Sequence, residues 1–126
     1  MVRNYANFFE LKDAVITNIT GLEVNNDTVV ITSDKGTFQL THLQDCCESV
    51  SINKVFGTVE GVLNSKVILA EEDNGANDPE WYTGRYYDSH TWTSYKIKCE
   101  NGNTLSFWYL GESNGYYGEG VTVTKL

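Results

Sequence analysis

The hydrophobic and polar positions of this chain alternate with a period of two over much of its length, which predicts β-strands. The alternation is strictest in residues 91–99, and residues 104–110 repeat it. Between these segments lies Asn101-Gly102, a dipeptide favoured in tight hairpin turns because both residues tolerate positive φ. We therefore predict a β-hairpin with one face in the core. That face carries Thr93, Tyr95, Ile97, Cys99, Leu105, Phe107 and Tyr109.

Weaker strand patterns occupy most of the remaining chain. They cover residues 14–24, 28–32, 37–42, 50–56, 66–70 and 121–124. The turn-forming residues 33–36 join the second and third of these segments in another hairpin.

Two short helices complete the predicted elements. Residues 57–64 are expected to form one of them, with Thr58 as its N-cap. Residues 5–13 are expected to form one or two helical turns. These turns direct three apolar side chains inward: Phe8, Phe9 and Leu11.

Together, these elements predict a mainly β fold, either all-β or a β-dominated α+β domain. We expect a single antiparallel sheet or a sandwich-like domain of about eight short strands with one or two short helices. The 126 residues suffice for one hydrophobic core, and no linker or internal repeat divides them. We therefore expect a single domain spanning residues 1–126.

Residues 74–89 have no hydrophobic period but are rich in aromatic side chains. A long connection of this kind is uncommon in a compact domain and is often functional. Because Tyr, Trp and Arg are enriched in binding hot spots and base-stacking sites, we predict a binding surface here, shared with a second loop, residues 111–120. Its members are Trp81, Tyr82, Arg85, Tyr86, Tyr87, Trp92, Trp108, Tyr116 and Tyr117. The alternative is that these rings only cover a small core.

The formal net charge is −8, from 17 acidic and 9 basic residues. An acidic surface repels nucleic-acid phosphates, so a partner protein with a basic surface is favoured over direct nucleic-acid binding. Solubility alone is the simpler interpretation. Glu71, Glu72 and Asp73 add an acidic patch to the predicted binding surface. They also fit a solvated strand end or, with Asp78 and Glu80, a cation site without standard spacing.

A short segment, residues 42–50, combines an imidazole, two adjacent thiols and two carboxylates. His42, Cys46 and Cys47 are candidate metal ligands, but structural zinc sites separate their paired cysteines along the chain. Adjacent cysteines of an extended chain point to opposite faces, so we expect no metal and no bond between these two. A Cys-His nucleophile and a redox switch with Cys99 are alternatives to thiols that only fill space. We expect neither catalysis nor a cofactor.

The cellular compartment is expected to be the cytoplasm. No apolar run approaches the length of about 20 residues that a membrane span needs, so no membrane contact is expected. The first residues lack the apolar core of a signal peptide. Three cysteines, an odd number, fit a reducing environment.

Residues 42–50, His-Leu-Gln-Asp-Cys-Cys-Glu-Ser-Val, resemble the His-x-Gln-Asp-Cys-Cys-Glu-x-Val signature of a small bacteriophage and prophage family, a DUF7448-like domain of unknown function. With further similarity in other segments, the resemblance covers residues 37–124. Those segments are residues 68–72, 91–93, 95–96, 108–109 and 112–117. The resemblance implies a phage or prophage origin and the host cytoplasm, and it implies no activity. The chain departs from the family pattern at Gly57, Thr58, Cys99 and residues 74–89.

From the charge, the aromatic loops and this resemblance, we expect a non-catalytic phage accessory protein that binds and inhibits a host factor. A nucleic-acid-binding defence component with a basic surface is the expected partner. One alternative is an oligomeric sponge that stacks a small signalling nucleotide on its Trp and Tyr rings. Its phosphates would be held by Arg85, Lys96 or Lys98. The other alternative is a minor virion or assembly protein, and a homo-oligomer is compatible with each.

Overall fold

The computed structural model describes residues 4–126, which form eight strands, one short α-helix and one 3-10 turn. The 3-10 turn is Phe8–Leu11, and the helix α1 is Val59–Val62. The strands are β1 (Ile16–Thr20), β2 (Val29–Ser33), β3 (Gly36–Thr41), β4 (Ser49–Phe56), β5 (Val67–Ala76), β6 (Ser89–Cys99), β7 (Thr104–Ser113) and β8 (Thr122–Lys125).

These strands form two antiparallel sheets, which confirms the predicted mainly β class. The first sheet has the order β1-β2-β3-β8, and the second has the order β4-β7-β6-β5. Only some neighbours in each sheet are consecutive in the chain. The two sheets bury their facing sides against each other in one core, to which both contribute fully buried side chains.

The hairpin predicted from residues 91–110 is the centre of the second sheet. Its strands β6 and β7 pair without interruption from Ser89↔Ser113 to Lys98↔Thr104. Gly102 has a φ of +88°, as the tight turn requires. The predicted core face of the hairpin is confirmed, since each member is fully buried, and each large apolar side chain contributes about 1.5–3 kcal/mol relative to an exposed position.

Two tyrosines of this core face differ in how their hydroxyl groups are satisfied. The Tyr109 hydroxyl donates to the carbonyl oxygens of Asp27 at 3.2 Å and Leu40 at 3.5 Å, which ties the second sheet to the first. The Tyr95 hydroxyl has no hydrogen-bond partner among the described residues. Burial, followed by the nearby Glu72 carboxylate, raises the pKa of Tyr95 above its ordinary value.

The short helical elements agree with the sequence patterns except at Phe9. The Thr58 hydroxyl accepts a hydrogen bond from the Gly61 amide at 3.2 Å, so the predicted N-cap of α1 is confirmed. In the 3-10 turn, Phe8 and Leu11 are buried but Phe9 is 64% exposed. The prediction for Phe9 was wrong because a turn of four residues can direct only one side toward the core.

The long aperiodic connection is shorter than predicted. Strand β5 extends to Ala76, which pairs with Trp92 of β6, because the backbone ladder continues past the apolar part of the strand. The connection between β5 and β6 is therefore residues 77–88 rather than 74–89. No helix within residues 4–126 is long and apolar enough to cross a membrane.

Candidate binding pocket at the loop end of the sandwich

The aromatic connection folds back onto the outer face of the second sheet. The Trp81 ring lies 5.4 Å from Trp92, 5.7 Å from Trp108 and 5.7 Å from Phe56, each edge to face. Trp92 is only 1% exposed as a result. Such edge-to-face pairs contribute about 0.5–1.5 kcal/mol each beyond the area that they bury. The connection therefore forms a second, smaller core on the side of the sheet that alternation alone assigns to solvent.

Tyr82 and Tyr86 belong to the same cluster. The Tyr82 ring lies 5.1 Å from Trp92, and the Tyr86 hydroxyl accepts a hydrogen bond from Trp92 Nε1 at 3.0 Å. The Tyr86 ring also stacks on His90, with centroids 3.6 Å apart and ring planes 9° apart. Asp78 accepts a hydrogen bond from His90 Nε2 at 2.7 Å. Five predicted binding residues thus pack largely on one another: Trp81, Tyr82, Tyr86, Trp92 and Trp108.

The other aromatic candidates meet at one end of the sandwich. A pocket of about 370 Å³ opens there, between the β3–β4, β5–β6 and β7–β8 connections. It is lined by Cys47, Ser49, Tyr87, Asp88, Glu112, Ser113, Asn114 and Tyr117. The tertiary structure therefore brings together residues separated by up to 70 positions in the chain (47 to 117).

The charged side chains that line this pocket are acidic, Asp88 and Glu112. The Glu112 carboxylate accepts a hydrogen bond from the Tyr87 amide at 2.9 Å, which holds the two connections together. Tyr87 is 73% exposed and the neighbouring Tyr116 is 83% exposed. Tyr87 thus lines an acidic pocket, and Tyr116 packs against Tyr117, another lining residue, with ring centroids 5.1 Å apart.

The β7–β8 wall of the pocket is held by the buried Glu119. Its carboxylate accepts hydrogen bonds from the hydroxyls of Ser113 and of Thr91, the latter at 2.8 Å. Burial opposes ionisation, but these hydrogen bonds outweigh it and lower the pKa of Glu119. A Cβ at Gly111 would overlap the Glu119 carbonyl oxygen, so the close approach of this connection requires glycine.

The β3–β4 connection, which forms another wall of the pocket, is held by a hydrogen-bond network around Glu48. The Glu48 side chain is fully buried. Its carboxylate accepts hydrogen bonds from His42 Nε2 at 2.7 Å, the Cys46 amide at 2.8 Å and the Asp45 amide at 2.9 Å. The burial penalty works against ionisation, but these bonds outweigh it and lower the pKa of Glu48 to about 2. Gln44 Nε2 completes the network by donating to the Glu48 backbone oxygen at 2.7 Å.

The same network explains His42. Its Nδ1 lies 2.7 Å from the Gly120 carbonyl oxygen and its Nε2 faces the Glu48 carboxylate, so both nitrogens have acceptors. A nitrogen held in this way is not available to coordinate a metal. Within residues 4–126, no cluster of three or more His, Cys, Asp or Glu side chains is arranged to hold a metal ion.

Cys46 and Cys47 form a disulfide with each other, so the prediction that these neighbours do not bridge was wrong. The chain bends at these residues instead of continuing extended, which brings both side chains to the same side. Both residues are exposed, and Cys47 lines the pocket. Cys99 is buried in the core, where its thiol donates to the Val62 carbonyl oxygen at 3.5 Å.

The acidic patch predicted at Glu71, Glu72 and Asp73 lies elsewhere, on β5. These residues line a separate pocket with Lys96 and Ser94, their neighbours on β6. The three cations considered for phosphate binding are not gathered into one site. Arg85 lines a pocket with Tyr86, Tyr87 and Glu112, whereas Lys96 lines the one beside Glu71 and Lys98 lies further along β6.

Two organising residues were missed as members of the site. The carboxylates of Glu48 and Glu119 accept the hydrogen bonds that hold two walls of the pocket in place. Neither residue was predicted as a binding residue. The pattern His-x-Gln-x-x-x-Glu that starts at residue 42 could have identified Glu48, because its His and Gln side chains both contact the Glu48 carboxylate. Nothing local marks Glu119, because its partners lie on β6 and β7.

A comparison with known protein families finds a match over nearly the whole chain. The model of the domain of unknown function DUF7448 matches residues 10–123. The chain belongs to this family. The matched region of this DUF7448 domain contains strands β1 to β7, the Glu48 network and every residue that lines the pocket, and it ends within β8. No curated protein and no solved structure matches the chain.

Proposed function

We propose that this DUF7448 protein is a non-catalytic binding protein that captures a basic, extended segment of a partner protein. The observation that carries the proposal is the acidic pocket lined by Tyr87, which is 73% exposed, beside Tyr116, which is 83% exposed and packs against the lining residue Tyr117. Tyrosine, with Trp and Arg, is among the residue types enriched at the energetically dominant positions of protein interfaces. A lysine or arginine side chain has the length and the charge to enter such a pocket and face Asp88 and Glu112.

The net charge of −8 supports the same class of partner. It attracts a basic surface over a distance of about 10 Å at moderate salt and speeds the encounter. Base-pair or phosphate recognition is not favoured by this pocket, because its charged side chains would repel phosphates. The half-buried aromatic cluster around Trp81 then serves to hold Tyr87 and Asp88 in place rather than to contact the partner.

The partner class follows from the phage resemblance together with this chemistry. A host defence component that binds nucleic acid has a basic groove, and an acidic protein seated in that groove would block it. We therefore propose inhibition of such a host factor in the host cytoplasm, by occupation of its nucleic-acid site.

The test is affinity capture from host cells with three forms of the chain. One is wild type, one carries Tyr87→Ser and Tyr116→Ser, and one carries Tyr5→Ser and Phe9→Ser as a matched loss of exposed rings. The proposal expects basic proteins to be captured by wild type and by the matched control, with at least about a 10-fold lower yield for the Tyr87 and Tyr116 variant. Capture should weaken at high salt.

The captured protein is then purified and its nucleic-acid binding is measured with and without the chain. Inhibition by wild type but not by the Tyr87 and Tyr116 variant is the expected result. Equal capture by all three forms, capture of acidic proteins only, or no capture at all would contradict the proposal. Circular dichroism of each variant verifies that the sheets are intact.

A further inference from the structure

The wall of the acidic pocket contains a disulfide that solvent can reach. Cys46 and Cys47 are bonded to each other, both are exposed, and Cys47 lines the pocket beside Ser49 and Asp88. The third cysteine, Cys99, is neither bonded nor exposed, and it does not line the pocket. Cys99 is a free, buried thiol whose pKa is raised by burial. The accessible sulfur chemistry of the chain is therefore concentrated in this pocket.

We propose that Cys46–Cys47 is a reversible thiol–disulfide exchange site, and that its co-substrates are thiols that carry positive charge. The pocket supplies the selectivity, because the charged side chains that line it with Cys47 are the carboxylates of Asp88 and Glu112. Asp45 adds a further exposed carboxylate next to the disulfide. This inference does not rest on the basic-segment proposal, since it concerns small thiols as well as protein thiols.

The exchange is balanced in two steps. The incoming thiolate attacks Cys47 Sγ, the bond between the two cysteine sulfurs breaks, and Cys46 leaves as a thiolate that takes a proton from water. A second co-substrate thiolate attacks the first one in the mixed disulfide, which releases Cys47 as a thiolate that is also protonated. Two co-substrate thiols are oxidised to one disulfide, and the protein disulfide is reduced to two thiols with two electrons transferred.

The site of the first attack follows from the surroundings of each sulfur. Cys47 faces the pocket, whereas the backbone of Cys46 is held by the Glu48 network. The Cys46 amide donates to Glu48 at 2.8 Å and the Cys46 carbonyl oxygen accepts from Gln44 at 3.1 Å. Since neither bond involves sulfur, the segment keeps its place after reduction, and the two thiols remain adjacent and ready to close again.

The first measurement counts thiols. Oxidised protein is denatured and alkylated, and intact mass is recorded with and without prior reduction. One alkyl group, on Cys99, is expected without reduction and three are expected after it. Three alkyl groups on protein that has been treated with a disulfide oxidant would overturn the proposal, because the pair would then not close.

The second measurement tests charge selectivity on the native, full chain. Reduction rates are compared for cysteamine, which is cationic, and 2-mercaptoethanesulfonate, which is anionic, each corrected for its thiolate fraction and for its rate with an uncharged small disulfide. The corrected ratio is expected to favour cysteamine by about 10-fold at low salt. It should fall toward unity at about 0.5 M salt, where the screening length is only a few ångströms.

Matched charge variants complete the test. Asp88→Asn with Glu112→Gln should remove most of the selectivity, whereas Asp73→Asn with Glu71→Gln changes the net charge equally and should retain it. Peptide mapping of the trapped intermediate should find the first adduct on Cys47. Equal selectivity in the two double variants, or no selectivity in wild type, overturns the assignment. A negative outcome here leaves the capture of a basic partner unaffected, since that experiment reads Tyr87 and Tyr116.

Discussion

The buried Glu48 carboxylate, next in the chain to the Cys46–Cys47 disulfide, accepts a hydrogen bond of 2.7 Å from His42 Nε2. Two backbone amides of the same segment, those of Asp45 and Cys46, point at the same carboxylate. One ionised side chain therefore organises the whole β3–β4 connection, which is one wall of the pocket. This arrangement makes the wall sensitive to acid.

Acid should destabilise the protein through Glu48. Its pKa is about 2 in the folded state and near 4.5 when unperturbed, so ionisation favours folding above pH 4.5. This contribution is lost as the pH falls from about 4.5 toward 2. Urea unfolding measured across that window should show falling stability for wild type and a flatter profile for Glu48→Gln. A residual slope is expected from Glu119, whose pKa is also lowered.

The exposed Glu71→Gln variant is the control for the acid profile. It should follow the wild-type curve, since its carboxylate lies on the edge strand β5 outside the network. A Glu48→Gln profile as steep as that of wild type would contradict the role given to this carboxylate.

Removing the Tyr95 hydroxyl should stabilise the fold. Among residues 4–126 this buried hydroxyl has no hydrogen-bond partner, so Tyr95→Phe removes a desolvated polar group from the core. We expect the free energy of unfolding to rise by about 1 kcal/mol in urea titrations. Tyr109→Phe is the matched comparison, and it should lower that free energy by about 1 kcal/mol because it loses the bonds to Asp27 and Leu40. Changes of the same sign in both variants would refute the distinction.

Glycine should be required at position 111 but not at position 118. A Cβ at Gly111 would overlap the backbone of Glu119, and backbone cannot move aside as a flexible side chain can. Gly111→Ala is expected to lower the free energy of unfolding by about 1–3 kcal/mol. Gly118→Ala, where the new Cβ meets nothing within 4 Å, should change it by less than about 0.5 kcal/mol. Thermal and urea unfolding of the pair distinguish these outcomes.

Trp81 should matter for stability and Tyr87 should not. Trp81→Ala removes the ring that joins Phe56, Trp92 and Trp108, at an expected cost of about 2–3 kcal/mol. Tyr87→Ala removes an exposed ring and should cost less than about 0.5 kcal/mol. Tryptophan fluorescence during urea unfolding reports both values. Similar costs for the two variants would mean that the β5–β6 connection does not cover the sheet as described.

The part of the fold that the sequence predicts well is the part with local causes. The β6–β7 hairpin follows from strict alternation and the Asn101-Gly102 turn, because both act between residues near in the chain. The same holds for Thr58, whose hydroxyl caps the four-residue helix α1 that follows it directly. Family membership was also predicted from the sequence, and the DUF7448 match over residues 10–123 confirms it.

The packing of the aromatic β5–β6 connection could not be predicted from residues near one another in the chain. Composition identified Trp81, Tyr82 and Tyr86 as notable but left open whether they bind a partner or cover a core. Their packing against Trp92 and Trp108 depends on the connection folding back over β6 and β7, which no periodicity encodes. Tyr87, in the same segment, stays exposed.

The sequence by itself determined the fold class, the central hairpin, the helix cap and the acidic charge, because each depends on neighbouring residues or on composition. Only the tertiary structure decided the order of the strands in two sheets, and that order places Cys47, Asp88 and Ser113 around one pocket. It also decided that the chain bends at Cys46 and Cys47, so that their sulfurs join. A two-residue period specifies which face of a strand is buried, but it carries no information about which strands or loops become neighbours.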